Sequence, residues 1–440
     1  MWWRRSSVLP TVARKKDIKR KVSERTQALY DKRTRMSGTK AQYKAVQEEI
    51  KTSSLKNFHD WVSEWAESMR EVNAVGNTHK VYQGVKALRG KREKPPCNLS
   101  VDAQGQPLDD AQAIAVVWEE FLTKKFAATD AEEARPPMEP LPPTQGTDQL
   151  DAEEILQGLN RMNKGKARGP DDIPVEVYQG SDVCKMLLIQ LLQKIWDTEE
   201  VPVEFAHASF KMLFKNKGSK DDPSKYRCVG LLNHCYKVLS QCLLARLDKE
   251  TDGYLADWQA GFRKLRGCRD NVMTLRTLVE DMLEQGQRMV ATFVDYSAAF
   301  DTVSHKFLDL ALADAGASPK SRAIFRAIYN AASASTKVLD TDGQYIKSKS
   351  FPIRRGVVQG DITSPLYFVL ALHLILQRHD NIVGKGVEFA GTTIHTLAYA
   401  DDAALLDTDV STVTTRITVI AQGSKSDSDM SINITKTETV

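Results

Sequence analysis

The residues of this chain best placed to do chemistry are the adjacent pair Asp401-Asp402 and, far upstream, Asp295. The pair sits in His395-Thr-Leu-Ala-Tyr-Ala-Asp-Asp-Ala-Ala-Leu-Leu-Asp407, where apolar residues approach (Leu397, Ala398, Tyr399) and leave (Ala403 to Leu406). Such a run reads as a short buried β-hairpin with two carboxylates at its turn. Two readings stay open at this point. Aspartate is a common turn residue, and the pair can be a solvated turn. Burying it between apolar strands is costly unless something positive offsets it, and a divalent cation is the usual answer. A second strand that ends in a carboxylate, Arg288–Val294 running into Asp295, favours the cation. If the two strands pair, three carboxylates meet on one edge. Oxygen donors in small number suit Mg²⁺, which keeps waters and takes its other ligands from phosphates. Two such ions ~4 Å apart activate an attacking hydroxyl and stabilise the leaving oxygen of a phosphoryl transfer.

The elements that must hold these residues can be read along the chain. At 440 residues the prior is two or three domains. The net charge of +4 hides an asymmetry. Residues 1–40 carry thirteen Lys/Arg against three Asp/Glu, and residues 101–155 the reverse. A basic arm suggests an anionic partner or a solvated tail, and residues 1–55 are expected to be partly disordered and helical in part at most. Phe58, Trp61, Val62, Trp65 and Met69 make an amphipathic helical stripe over 57–70, a packing face, with more helix expected over 78–89 up to Lys94-Pro95-Pro96. Ala111–Phe126 reads as a further helix with Val117, Phe121 and Leu122 inward. Five prolines in Arg135–Pro143 read as an extended linker. The expected division is therefore a basic arm (1–55), a helical N-terminal extension (56–134), the linker (135–147), and two further regions, 148–287 and 288–440. Within these the pattern predicts helices over 151–162, 183–196, 229–247, 304–315, 319–332, 366–377 and 409–422. A strand is expected over 208–214, an Asp-Gly hairpin around 341–344, and a last strand at Ser431–Ile434.

The six cysteines show no metal-ligand spacing. Cys228, Cys235 and Cys242, seven apart, read as small apolar residues on one helix face, and the scattering suits a reduced, intracellular setting, nucleus or cytoplasm. The longest apolar run, Leu366–Leu376, is about half a membrane span, so no membrane partner is expected.

Seven blocks, in order, carry a resemblance. Phe293-Val-Asp-Tyr-Ser-Ala-Ala-Phe-Asp-Thr-Val303, Arg355-Gly-Val-Val-Gln-Gly-Asp-Ile-Thr-Ser-Pro365 and Leu397-Ala-Tyr-Ala-Asp-Asp402 resemble motifs A, B and C of reverse transcriptases. The likeness is closest to the enzymes of LINE-type, non-LTR retrotransposons. Gly169-Pro-Asp-Asp-Ile-Pro174, Tyr226-Arg-Cys-Val-Gly-Leu-Leu232 and Trp258-Gln-Ala-Gly-Phe-Arg263 resemble that family's finger motifs, and Ile432-Asn-Ile-Thr-Lys-Thr437 the motif after C.

The resemblance implies an α+β fold: a right-hand polymerase palm, an antiparallel sheet with helices packed on one face, with fingers, preceded by a mainly helical N-terminal region. The fingers would be 148–287 and the palm 288–440. It implies an RNA-directed DNA polymerase that transfers nucleotides from dNTPs to a DNA primer on an RNA template, with two Mg²⁺ ions (or Mn²⁺). Asp295, Asp401 and Asp402 would be catalytic and hold the metals. Lys436 would protonate the leaving pyrophosphate, or be a solvated lysine. Arg227 would meet the incoming triphosphate, with Lys220 as companion and Lys217 as competitor for that role. Phe300 would be the aromatic gate that favours dNTPs, or a core residue at a strand end. Gln359, Gly360 and Tyr399 would lie about the nucleotide. Asp301 is expected to cap the helix near Ser304. Arg168, Arg263, Lys264 and Arg266, with Arg269, sit in loops and would contact the nucleic-acid backbone, although one at a time such cations read first as solvated surface charges. Two departures stand out: Cys228 where the family commonly has Pro, and Asp429-Met430 for Gly-Leu. The chain also shows neither the endonuclease that precedes such polymerases nor the helical thumb that follows them, so the resemblance implies a truncated element. A catalytically silent nucleic-acid-binding remnant is the alternative. An RNA polymerase would more often show Gly before Asp-Asp and no aromatic gate.

Overall fold

Two units of the chain each hold together internally, Met1–Pro95 and Pro96–Val440. The computed structural model describes residues 23–36, 39–74, 99–102, 105–108, 110–340, 344–380 and 386–440. The helix expected over 78–89 and the Asp342-Gly343 turn lie outside the described residues.

In the first unit, helices α1 (Glu24–Arg35) and α2 (Lys40–Ala74) form an antiparallel pair, where only partial helix was expected up to residue 55. Ser23 caps α1 by accepting from the Thr26 N–H. Thr26 is buried and shares a hydrogen bond with Ser53 (2.6 Å), while Asn57 donates to it (2.8 Å). Val46 and Ile50 are buried beside this seam. The long charged side chains that make the segment look like a solvated tail are also good helix formers, and a second helix supplies the packing that a lone helix lacks. Of the predicted stripe, Trp61 and Val62 are half-buried, and the side chains of Phe58, Trp65 and Met69 lie outside the described set.

The second unit opens with α3 (Ala111–Phe126), which Asp110 caps by accepting from the Ala113 N–H. Its apolar side is buried through Ile114, Trp118, Leu122 and Phe126, with Val117 and Phe121 half-buried. After α4 (Asp130–Ala134) the proline-rich stretch is fastened at both ends to later chain. Arg135 pairs with Asp429 (3.0 Å), and the Thr144 carbonyl accepts from the buried Lys320 (2.9 Å). Then come α5 (Ala152–Asn160), α6 (Val175–Gly180), α7 (Asp182–Thr198), β1 (His207–Phe214), β2 (Tyr226–Leu231) and α8 (His234–Glu250). The single helix expected over 229–247 thus begins with a strand. β1 offers β2 an antiparallel edge, with Met212 opposite Cys228 and Phe210 opposite Gly230. Gly230 weakens helix there, and the helix starts only after Asn233. Cys228 therefore leaves the helix face on which Cys235 and Cys242 remain buried.

Next are α9 (Cys268–Glu284), β3 (Val290–Val294), the short α10 (Ala299–Thr302), α11 (His305–Asp314) and α12 (Pro319–Ala331). Ser304, not Asp301, caps α11, because the Ser304 hydroxyl accepts from the Phe307 N–H (3.1 Å). Asp301 lies one helix earlier and pairs instead with Lys125 of α3 (2.7 Å). The remaining elements are β4 (Ser333–Leu339), β5 (Tyr345–Lys347), β6 (Phe351–Pro352), α13 (Ser364–Asp380), β7 (Val387–Phe389) and β8 (Thr392–Ile394). They end with β9 (Thr396–Tyr399), β10 (Asp402–Asp407), α14 (Val410–Ser428) and β11 (Glu438–Thr439). The strand expected at Ser431–Ile434 is reduced to one bridge between Ile432 and Tyr296, and the chain pairs further on, through β11.

One sheet is antiparallel, in the order β11-β3-β10-β9; a second is mixed, β2-β1-β4-β5, with β6 also on β4 and β1 parallel to β4; β7 and β8 form a small antiparallel pair of their own. The antiparallel sheet is covered on both faces. Val290, Val294, Ala398, Ala403 and Leu405 join the main core. Ala291, Leu397, Ala404 and Leu406 join a smaller core with Leu278 and Met282 of α9. This explains why its strands read as near-continuous apolar runs. α13, which holds the eleven-residue apolar run, is buried from Tyr367 to Leu376. No helix among the described residues is long and apolar enough to cross a membrane.

Candidate active site

β3 and β10 are neighbours, and their ladder pairs Val294 with Ala403. Asp295 and Asp402 are each the next residue out, so they leave adjacent strands side by side. Because side chains alternate along a strand, both point to the face shared by Ala291 and Ala404. Residues directly opposite across such a pair have Cα atoms about 4.5–5.5 Å apart, which brings the carboxyls within reach of one another. Tyr399 pairs with Asp402, leaving Ala400-Asp401 as a two-residue turn. Ala400 has φ +58° and Asp401 has negative φ, the pattern of a type II′ hairpin. Asp402 is exposed, and Asp401 is half-buried. Burial, and then the like charges of Asp402 and Asp295, push the Asp401 carboxyl above the usual carboxylate range, while Arg227 pulls the other way. Asp401 thus feels the charges of Asp402 and Asp295 beside it.

Lys436 arrives on the turn that follows α14. The Asn433 N–H donates to the Asp295 carbonyl (2.7 Å) and the Lys436 ammonium lies 3.0 Å from the Asp295 carboxylate. A cavity of about 320 Å³ opens beside these groups, lined by Asp295, Tyr399, Asp402 and Lys436 and floored by apolar side chains such as Val272 and Phe293. Among the described residues, no three acidic, imidazole or thiol groups converge tightly enough to hold an ion as they stand. The donor set nevertheless fits a hard divalent cation. The three acids supply oxygens, and their mutual repulsion calls for positive charge. The Lys436 ammonium already stands where a cation would relieve Asp295.

Arg227 is exposed on β2, opposite Leu213. Lys220 and Lys217 are exposed in the loop between β1 and β2; the Lys220 carbonyl accepts from the Tyr226 hydroxyl (2.7 Å). Sequence reasoning missed Lys215 and Lys125. Burial, and then the positive charges of Lys125 and Arg227, push the Lys215 ammonium down, which places the three cations in one electrostatic neighbourhood. Counting by twos across the hairpin from Arg227 would have found Lys215, since it shares the strand face of Leu213. Nothing in the sequence pointed to Lys125, which comes from α3.

Phe300 is half-buried, stacked on Phe368 (4.2 Å) and edge-on to Phe262 (6.5 Å), which in turn lies 6.4 Å from Tyr399. The Phe300 carbonyl accepts from the Val357 N–H (2.7 Å), which ties this segment to the 355–365 loop. In that loop the Gln359 carbonyl accepts from the Gly230 N–H (2.7 Å). Gly360 has φ +123°, and a Cβ there would meet the Gly230 oxygen at 2.4 Å, so only glycine fits this approach to β2. Of the predicted backbone-binding cations, four have partners within the chain, and Arg269 lies exposed in the first turn of α9 rather than in a loop. Arg168 pairs with Asp172 (3.3 Å), Lys264 with Asp248 (2.9 Å) and Arg266 with Asp257. Arg263 donates to the Ala256 and Gln259 carbonyls.

An antiparallel sheet with acids at the tips of its two central strands, joined to a second sheet that presents cations, is the palm of a right-hand polymerase. Residues 215–440 match the reverse transcriptase (RNA-dependent DNA polymerase) family. The chain is 31% identical over 208 residues to the Pol polyprotein of the R2 retrotransposable element of Popillia japonica, which covers 47% of this chain and 28% of that protein. It is 26% identical over 258 residues to the RNA-directed DNA polymerase of the mobile element jockey of Drosophila melanogaster, with 58% and 27% covered. It is 23% identical over 341 residues to a 149 kDa protein of the transposon TX1 of Xenopus laevis, with 75% and 26% covered. The chain therefore belongs to the reverse transcriptase family, in its LINE-type, non-LTR branch, and it spans about a quarter of the length of these curated relatives.

Proposed function

We propose that this chain carries the polymerase centre of a non-LTR retrotransposon reverse transcriptase, which extends a DNA primer with dNTPs on an RNA template. The observation that carries this reading is the convergence of Asp295, Asp401 and Asp402 at the tips of paired strands, with Asp401 held above its ordinary range by burial and, to a smaller extent, by the charge of the other two. In this reading residues 148–287 act as fingers and 288–440 as palm.

Asp295, Asp401 and Asp402 would hold divalent ions, Mg²⁺ or Mn²⁺, which when bound activate the primer hydroxyl and stabilise the leaving oxygen. The chain's own groups do the rest. Arg227, with Lys215 in its electrostatic neighbourhood and Lys220 in the same loop, offsets charge on the triphosphate. Lys436, 3.0 Å from the Asp295 carboxylate, would donate a proton to the leaving pyrophosphate. Phe300, backed by Phe368, presents its ring edge to the sugar and disfavours a 2′-hydroxyl. Gln359 and Gly360 place backbone beneath the base pair, and Tyr399 flanks it. Contact of Arg168, Arg263, Lys264 and Arg266 with the duplex backbone requires each to exchange an internal partner for a phosphate.

The test uses purified chain, a primed homopolymer RNA, labelled dTTP and Mg²⁺, beside Asp401→Ala. Extension by the parent that disappears in the variant is expected. RNA retention without extension by either protein would instead identify a silent binding remnant.

A further inference from the structure

The stretch between α8 and α9 runs beneath the acidic hairpin. The Trp258 carbonyl accepts from the Ala398 N–H (2.8 Å), and the Ala260 N–H donates to the Ala398 carbonyl (2.8 Å). The Asn271 amide donates to that same carbonyl (2.8 Å). Gln259 and Ala398 thereby form a parallel bridge. Gln259 is wholly buried, at 0% exposure. Its side-chain oxygen accepts from the Gly261 N–H (2.8 Å) and from the Ala400 N–H (3.1 Å), and its amide nitrogen donates to the Ala400 carbonyl (3.4 Å). Ala400 is the residue at φ +58°. A non-glycine residue in that region is strained and persists only where its surroundings hold it. Gly261 shows how closely the two segments abut: a Cβ there would lie 2.2 Å from the Ala400 nitrogen.

We propose that Gln259 is a positioning residue of the candidate catalytic centre: its carboxamide holds Ala400 on both sides in the left-handed conformation and so fixes the direction in which Asp401 and Asp402 leave the turn. The inference rests on the polymerase reading above. The Ala400 carbonyl belongs to the same rigid peptide unit as the Asp401 nitrogen. Restraining that oxygen restrains the rotation that aims the Asp401 side chain. Without the clamp, the turn keeps its strand pairing but loses the orientation of its tip. Displacements near 1 Å at a catalytic group cost on the order of 10²-fold in rate, and loss of a group that orients a metal ligand costs about 10–100-fold in metal affinity.

The experiment compares the full chain with Gln259→Met, which keeps length and apolar volume without the hydrogen bonds, and with Gly261→Ala, which presses on the same peptide from the strap side. Asp401→Asn is the reference. Mn²⁺ binding is read by electron paramagnetic resonance without nucleic acid, kcat and KM for dTTP by primer extension, and folding by thermal melting in EDTA. Gln259→Met and Gly261→Ala are expected to bind Mn²⁺ at least about tenfold more weakly per folded molecule, to lose roughly 10²-fold in kcat, and to keep the KM for dTTP. Parental Mn²⁺ affinity in Gln259→Met would overturn the proposal, as would a kcat loss that only tracks the folded fraction. If the parent itself shows no Mn²⁺ binding that Asp401→Asn removes, and no extension, then the polymerase reading fails and the proposal falls with it.

Discussion

At the scale of single residues, Asp401 is the acid whose ionised form the fold disfavours. Its carboxyl is pushed up first by burial and then by Asp402 and Asp295. The sign of the consequence follows from proton linkage. The folded chain holds this proton more tightly than the unfolded chain, so stability falls as pH rises from the unfolded pKa through the raised folded one, and the loss persists at neutral pH. Asp401→Asn removes the charge but keeps the shape. At pH 7 in EDTA it is expected to melt at a higher temperature than the parent. Added Mg²⁺ should narrow or reverse the gap, because an ion that binds only the folded parent stabilises it by mass action. Differential scanning calorimetry with and without Mg²⁺ checks both halves, and a lower melting temperature for the variant in EDTA would remove the case for an electrostatically loaded site.

At the scale of elements, what matters is how the β9–β10 hairpin is fastened. Arg416 of α14 is fully buried and grips Asp380 of α13 through two nitrogens (2.7 and 2.9 Å). It also donates to the Leu406 and His395 carbonyls, one on each side of the hairpin. Against burial, which raises it, the His395 imidazole, then the Arg416 guanidinium and the Thr396 hydroxyl hold the Asp380 carboxyl down, at about 2. Removing one partner of a buried pair strands the other, which typically costs about 3–5 kcal/mol. Arg416→Met is therefore expected to lose roughly that much, read from urea midpoints. Asp380→Leu combined with Arg416→Met should recover part of the loss, since Asp380 is no longer left bare, although buried Asp407, 3.8 Å from the guanidinium, still loses its counter-charge. The hairpin was legible in the sequence because apolar residues flank an acidic pair; its fastening was not. Arg416 looks like any solvated cation in a threonine-rich helix, and only the fold brings it to Asp380 and to both strands. The same limit explains β2, whose apolar residues continue into α8 and read as one helix until β1 supplies an edge. It also explains Lys125, a lysine in the last turn of a distant helix that ends against Asp301. Local pattern names the residues at a strand tip, but partners that pack from elsewhere are set by topology.

At the scale of the whole molecule, acid should act on several seams together. His305 of α11 is buried against Tyr329, donates to the Gly356 carbonyl (2.8 Å) and is held down at about 4 by burial. Glu132 raises it and Arg354 lowers it, both weakly beside the burial. His373 of α13 lies between Trp258 (4.9 Å) and Tyr254 (4.8 Å) and is likewise held at about 4, chiefly by burial, with Arg263 adding to the effect and Asp314 opposing it. His207 of β1 bridges the Ser333 and Ser335 hydroxyls of β4 (both 2.9 Å) and is lowered by burial and by Lys347. His305 and His373 stay neutral in the fold down to about pH 4 while the same groups are charged in the unfolded chain below about pH 6.5, and His207 is shifted in the same direction. The unfolded state then binds more protons, so stability rises with pH across that window and is lost as pH falls from 6.5 toward 4. The salt-bridged carboxylates of Asp380 and Asp309, both held low, give way only at more acid pH, below the usual carboxylate value. The chain is therefore expected to lose urea stability between pH 7 and pH 5, before its salt-bridged carboxylates titrate, with protonation of the raised Asp401 carboxyl opposing part of the loss. His305→Asn, which keeps an N–H for the Gly356 carbonyl, should weaken that dependence by about one proton, or about 1.4 kcal/mol per pH unit within the window. His305 and His373 flank the two segments that bracket the acidic hairpin, the 355–365 loop and the Trp258–Gly261 strap. Loss of primer extension on acidification should accordingly track global unfolding measured in the same samples. Extension lost at pH 5 by chain that remains folded would instead place the acid-sensitive step in the carboxylates themselves.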